Sequence, residues 1–451
     1  MILWTSQTAW SETPPIAGPA RLASVGPLAE YVHARDASYA WSVRRRGDLG
    51  TGRYAELILT SQTWRDQTWR HQLFVYKPAK VKDASRALLL VGGGAWNDEF
   101  AQPAAADASL PREAGLLATA ADALGVPVVL VLQVPHQPIF GELYEDAAIS
   151  HTFREFVRSG DDTWPLLLPM VKSAVRAMDC AAEFARDEWK IEPKKFTVTG
   201  ASKRGWTTWL TAAVDSRVEC LAPMVIDMLN LRSHLRLQLH SWGGYSDEIH
   251  DYTDLGIHKL VETPAGDKLL AIVDPYSYRK QITQPKLLLF GTNDRYWPLE
   301  SLNQYWPELA GEKYICYVPN NGHGLKDLGR VLGGISALHR HAAGDLVLPK
   351  LAWEHADHAD GAELMLRSDR APTEVLAWQT TSVNRDFREG VWKAEAVASD
   401  DGVFRYRLPT PKAGCGAFFC EAKFTDPALT LPYYLSTTMK VVGTPVKPKP
   451  R

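Results

Sequence analysis

The sequence predicts a doubly wound, mostly parallel α/β sheet with lid insertions, followed by a small C-terminal β-sandwich. Three observations predict it. Short apolar runs recur at 87–91, 128–132, 196–198, 224–226, 286–290 and 314–318, with helical patterns such as 113–124 and 170–187 between them. Continuous apolar strands alternating with helices make a parallel sheet buried on both faces. From about Lys350 the pattern changes to short alternating strands at 352–355, 362–366, 374–378, 392–396 and 402–407, as in a sandwich. The length of 451 residues also exceeds one ordinary domain. The expected division is 1–349, 350–440 and a disordered, basic, proline-rich tail at 441–451.

Taken in order, residues 15–46 read as an irregular, partly helical lead-in. The segments 53–60 and 71–76 alternate and are joined by a polar turn, which predicts an antiparallel pair at the sheet edge. Two insertions, at about 135–165 and 228–278, are long enough to be lids or caps. Ligands on such sheets bind at the carboxyl ends of the strands, where the polar motifs of this chain fall.

Composition excludes several classes. With 45% hydrophobic and 23% charged residues the chain is that of a soluble globular protein, and a net charge of −2 gives no reason to expect nucleic acid or an anionic membrane as partner. No apolar run reaches the roughly 18 residues needed to cross a bilayer. The first residues carry neither a basic segment nor a long apolar core, so they do not read as a signal peptide. Five cysteines show no metal-ligand spacing, and their odd number rules out a complete disulfide framework; Cys415 and Cys420 are close enough in sequence for one local bridge. Among sixteen tryptophans, Trp96, Trp164, Trp206, Trp209, Trp242 and Trp297 cluster near the candidate site loops, where they suit an aromatic-lined pocket or a large core.

The most informative stretch is Gly200-Ala201-Ser202-Lys203-Arg204-Gly205. It lies between a β-branched strand segment and a helical one, the layout of a nucleophile elbow. It departs from G-x-S-x-G, with Arg204 at the second glycine position and Gly205 one later. A serine nucleophile needs a base and an orienting acid, in the chain order serine, acid, histidine on a doubly wound hydrolase sheet. Asp294 follows the strand 286–290 and His323, flanked by glycines, follows 314–318. These three are the expected catalytic residues, with Glu300 as a competitor for the acid and helix capping as the alternative role of Asp294.

The oxyanion hole is expected from the amide of Lys203 and from the loop Gly92-Gly93-Gly94-Ala95-Trp96, where Gly94 and Ala95 are the candidate donors. Trp96, Trp297, His136 and Arg204 are candidate substrate contacts. Arg204 has two readings, binding a substrate anion or pairing with an acid elsewhere in the chain. His136, His151, His240, His250 and His258 lie in the insertions beside several acids, yet no ligand spacing supports a metal, and no cofactor is implied.

Taken together, these residues resemble the PhoPQ-activated pathogenicity-related family. The resemblance rests on residues 57–64 (LILTSQTW), Trp69-Arg70-His71, Val91-Gly92-Gly93-Gly94, 162–170 (DTWPLLLPM) and 198–206 (VTGASKRGW), and it covers the chain to about residue 440. It implies an α/β-hydrolase-like fold with a C-terminal sandwich and, since members are commonly exported, an extracytoplasmic location. The Ser-Lys-Arg-Gly elbow belongs to the family pattern. The expected function is a serine hydrolase, an esterase or peptidase, cleaving an ester or peptide bond of a small molecule or short peptide through an acyl-enzyme. The alternative is a non-catalytic binding or signalling protein on the same fold.

Overall fold

The computed structural model describes residues 26–104, 109–111 and 114–446. Nine strands form the central sheet: β1 (Ala40–Leu49), β2 (Gly52–Trp64), β3 (Gln67–Lys77), β4 (Arg86–Val91), β5 (Val128–Val131), β6 (Lys195–Ala201), β7 (Val218–Met224), β8 (Lys286–Gly291) and β9 (Lys313–Val318). Their spatial order is β1-β2-β3-β5-β4-β6-β7-β8-β9. The pairs from β1 to β5 are antiparallel, and those from β5 to β9 are parallel.

The helices are α1 (Pro27–His33), α2 (Ala114–Leu124), α3 (Glu145–Ser159), α4 (Leu167–Phe184), α5 (Lys203–Val214), α6 (Leu231–Trp242), α7 (His250–Asp254), α8 (Ile257–Leu260), α9 (Pro264–Val273) and α10 (Leu328–Ala343). Because side chains alternate across a strand, Leu89 and Val129 enter one core with α1, α4 and α5. Their neighbours Leu88 and Val128 enter the other core with α2 and α10. Both faces are therefore covered, and this dictated the continuous apolar runs.

Three elements differ from expectation. Residues 40–46, read as lead-in, belong to the edge strand β1. Its arginines disguised it: Arg44 and Arg45 turn in to pair with Glu56, which is fully buried on β2. The run 224–226 is mostly not strand. β7 ends at Met224, and Val225 leaves the extended conformation at φ 46°. Residues 441–444, assigned to the tail, lie in a strand and 445–446 follow it; the rest of the expected disordered tail, 447–451, and residues 1–25 lie outside the described residues.

The C-terminal strands are β10 (Leu351–His358), β11 (Gly361–Ser368), β12 (Glu374–Ser382), β13 (Lys393–Ala396), β14 (Ser399–Asp400), β15 (Val403–Pro409), β16 (Gly414–Phe424), β17 (Tyr433–Ser436) and β18 (Lys440–Thr444). One antiparallel sheet runs β10-β11-β15-β14; the other runs β13-β12-β16-β17, with β18 also on β16. Leu364, Tyr406, Ala377 and Phe418 from the two sheets share a core that continues into Leu287 and Val318 of the central sheet. All five cysteines are buried and free. Cys415 and Cys420 are an odd number of residues apart on β16, so their side chains leave opposite faces, and the local bridge does not form.

Candidate active site

Ser202 stands between the end of β6 and the first residue of α5, with φ 57° and ψ −126°. A non-glycine residue in that region stores about 1–3 kcal/mol of strain, which the surroundings must hold. Its amide donates to Met224 O at 2.9 Å and its carbonyl accepts from Trp206 N at 3.0 Å. The displaced second glycine has a steric cause. A Cβ on Gly205 would lie 2.8 Å from both Ile226 and the Met224 carbonyl, so the elbow packs against β7 at that position. Arg204, in the usual glycine position, points away to other partners.

Asp294 and His323 come together. Oδ2 of Asp294 lies 2.8 Å from His323 Nδ1, while Oδ1 accepts from Tyr296 N at 3.0 Å. The loops that carry them approach through Gly291, where a Cβ would stand 2.4 Å from Asn321 O. The competitor Glu300 instead pairs with Arg385. Nε2 of His323 is buried without a hydrogen-bond partner, so Ser202 and His323 are not hydrogen-bonded in this conformation. The segment between β12 and β13 braces both loops. Asn293 donates to Gly390 O at 2.7 Å, and Asn320 exchanges two bonds with the Trp392 backbone, at 3.0 and 2.8 Å. The ring of Tyr296 lies over His323, with centroids 4.3 Å apart.

The positive charges beside Ser202 are neutralised internally. Arg204 makes a two-pronged pair with Glu145 at 2.7 and 2.6 Å and donates from Nε to Val134 O at 2.6 Å. Of its two expected readings, the structure shows the pairing. Lys203 Nζ is 2.7 Å from Asp146, which also accepts from Tyr252 OH at 2.7 Å. Burial would raise the Glu145 carboxyl, but the bonds and charge of Arg204 outweigh it and hold it below the ordinary range. Glu145, Asp146 and Tyr252 had no motif to mark them; the only trace is an acidic pair within an insertion.

The glycine loop acquires a second role here. A Cβ on Gly93 would lie 2.3 Å from the Arg204 guanidinium, so the loop must be bare at this point for the arginine to reach Glu145. Trp96 N is taken by Gln137 O at 2.8 Å, whereas the amides of Gly94 and Ala95 have no backbone acceptor among the described residues. Lys203 N is in the first helical turn, where geometry leaves amides unpaired.

A narrow cavity is lined by Ser202, Lys203, Trp206 and Trp297, with walls from α6, α7 and α8 of the second insertion. Trp96 and His136 are not among its lining residues. His136 sits between the rings of Trp69 and Trp96 (6.2 and 5.6 Å), with Nδ1 against the Arg70 backbone, and burial lowers its pKa. Trp164 packs against Trp64 and Arg65, Trp209 is core, and Trp242 lies under Arg388. Of the six clustered tryptophans only Trp206 and Trp297 face the cavity. Among the described residues no three metal-ligating side chains gather, and no helix is long and apolar enough to cross a membrane.

Asp227, just past β7, is a further buried acid. It accepts from Tyr305 OH at 2.8 Å; burial, with the charge of Asp294 adding to it, pushes its pKa up to about 8. A neutral Asp227 avoids repulsion with Asp294. Its pKa is raised on folding, so it stabilises the protein least above pH 8: the unfolded carboxyl ionises near 4 while the folded one keeps its proton. Asp227→Asn should therefore raise the unfolding midpoint relative to the native chain, by an increment that grows between pH 4 and 8. Thermal melts across that range check it, and a constant increment would contradict it.

Three comparisons bear on this geometry. The family model described as PhoPQ-activated pathogenicity-related protein matches residues 28–388. Autocrine proliferation repressor protein A of Dictyostelium discoideum is 28% identical over 435 residues, covering 88% of this chain and 86% of that protein. Among solved structures, acetyl xylan esterase 1 from Thermoanaerobacterium sp. aligns at TM-score 0.46 and 17% identity, over 69% of this chain and 91% of that one. S-formylglutathione hydrolase from Agrobacterium tumefaciens aligns at TM-score 0.43 and 11% identity, over 67% and 98%. Structural likenesses this distant say nothing of activity. The family match spans most of the chain, elbow, acid and histidine included, and so the chain belongs to the PhoPQ-activated pathogenicity-related protein family.

Proposed function

We propose that this protein is a serine hydrolase that cleaves an ester or amide bond through an acyl-enzyme. The observation that carries the reading is the Asp294–His323 bond, which fixes Nδ1 and leaves Nε2 without a partner to act as base. His323 Nε2 takes the proton of Ser202 as its Oγ attacks the carbonyl carbon, and Asp294 stabilises the imidazolium. The oxyanion is held by the amide of Lys203 and that of Gly94 or Ala95. Collapse returns the proton from His323 to the leaving alcohol or amine. Water, deprotonated by His323, then attacks the acyl-enzyme and frees the acid and Ser202. Catalytic hydrogen bonds are often long or misaligned before substrate binds, so the open Ser202–His323 contact is compatible with this sequence.

Hydrolysis of p-nitrophenyl butyrate and of aminoacyl p-nitroanilides by native protein and His323→Ala tests the reading. Turnover that His323→Ala removes supports it; turnover that survives contradicts it. Tyr296 is assigned as a positioning residue, since its ring covers the imidazole. Tyr296→Ala should lower kcat by about two- to tenfold, the value of one aromatic contact, with Tyr296→Phe close to native. Equal losses in both variants would contradict a role through the ring.

The second reading, a binding or signalling protein with an idle site, is favoured by the unmade Ser202–His323 hydrogen bond and by the name of the Dictyostelium relative. It predicts no turnover in the same assay.

A further inference from the structure

On the serine-hydrolase reading, we infer that the acyl group accepted at Ser202 is an uncharged hydrocarbon chain, and not a polar or charged acid. The cavity that Ser202 lines is largely apolar. Its walls include Phe153, Trp206, Met228, Leu235, Ile249 and Ile257. The polar groups along it are mostly consumed by the protein. Tyr252 OH and Lys203 both bind Asp146. His234 is bonded to Ser301 and Gln238, and burial pushes its pKa down to about 3, so it stays neutral. The indole nitrogens of Trp206 and Trp297 donate to Val273 O and Val225 O.

What remains to offer a ligand is the Tyr296 hydroxyl, which has no protein partner among the described residues, and His258 Nδ1, buried without one. A charged or heavily hydroxylated acyl group would lose its hydration here and regain almost nothing. A hydrocarbon gains on both counts.

The walls of α6, α7 and α8 come from the second insertion, so that insertion sets acyl specificity, as distinct from merely covering the serine.

The experiment is a kcat/KM comparison of p-nitrophenyl hexanoate with the p-nitrophenyl monoester of adipic acid, whose acyl chain is as long but ends in a carboxylate, with each protein also treated with a fluorophosphonate. Hexanoate should exceed the adipate monoester by about tenfold or more, since a carboxylate that loses its hydration here finds no partner. Ile249→Trp, which fills the cavity, should lower kcat/KM for hexanoate. Labelling of Ser202 with the adipate monoester accepted as well as hexanoate would overturn the apolar acyl site while leaving the hydrolase reading intact. Absence of labelling in folded native protein would overturn the hydrolase reading and this inference with it.

Discussion

Ser202→Ala is expected to lower kcat on any ester substrate by on the order of 10⁴-fold or more, while leaving the unfolding midpoint unchanged or raised. Removing the nucleophile removes the covalent route, and only binding and the oxyanion donors remain to accelerate attack by water. The stability expectation follows from the backbone. Ser202 is held at φ 57°, and its side chain makes no capping bond to the helix that follows, so the hydroxyl contributes nothing to the turn. In the proposed mechanism, chemistry at the hydroxyl is the reason for a serine kept at that conformational cost without a structural bond. Activity assays beside thermal melts separate the two effects. A variant that loses activity only because it unfolds would contradict the role assigned here.

Glu145→Ala is expected to cost about 2–4 kcal/mol of stability and to lower activity in protein that is still folded. The substitution leaves the Arg204 guanidinium, only 11% exposed, without its carboxylate and leaves Lys203 with Asp146 alone. Breaking a buried pair costs about 3–5 kcal/mol, and the partial exposure of Glu145 lowers that figure. The functional loss has a geometric route. Arg204 follows Ser202 by two residues, packs on Gly93 of the candidate oxyanion loop, and holds Val134 O. Release of the guanidinium therefore loosens the elbow and the loop together. Arg204→Lys should behave similarly, because an ammonium cannot make the two-pronged pair and reach Val134 as well. Denaturant midpoints with kcat below the midpoint check both, and unchanged values in the two variants would contradict the brace.

Much of the fold is legible in the sequence because burial on both faces leaves short continuous apolar runs, set apart by the helical patterns between them. Runs such as 128–132 and 286–290 need only solvent exclusion to be read. Where charge enters a buried position the reading fails, as at β1, whose arginines neutralise Glu56 across the strand pair. The end of β7 fails for another reason: the apolar character continues to Ile226, but Val225 turns the backbone out of the ladder.

At the site, Ser202, Asp294 and His323 are marked by residue type and chain order, and the structure brings the last two into contact. Glu145, Asp146, Tyr252 and Tyr296 are not marked. Their roles depend on partners distant in the sequence, which only the fold supplies: Arg204 reaches Glu145 across 59 residues, and Tyr252 reaches Asp146 across 106. Tyr296 stands two residues after Asp294, but its contact with His323 depends on the turn between them. The Gly92–Gly94 run illustrates the opposite problem. It reads as an oxyanion loop, and the bareness of Gly93 is explained by the arginine beside it.

In the proposed mechanism Ser202 is activated by His323. Intact-mass analysis of the protein after fluorophosphonate treatment tests it most directly. One adduct per chain is expected, on Ser202, absent from both Ser202→Ala and His323→Ala. Folded native protein that takes up no adduct, or an adduct that persists when His323 is removed, would contradict it.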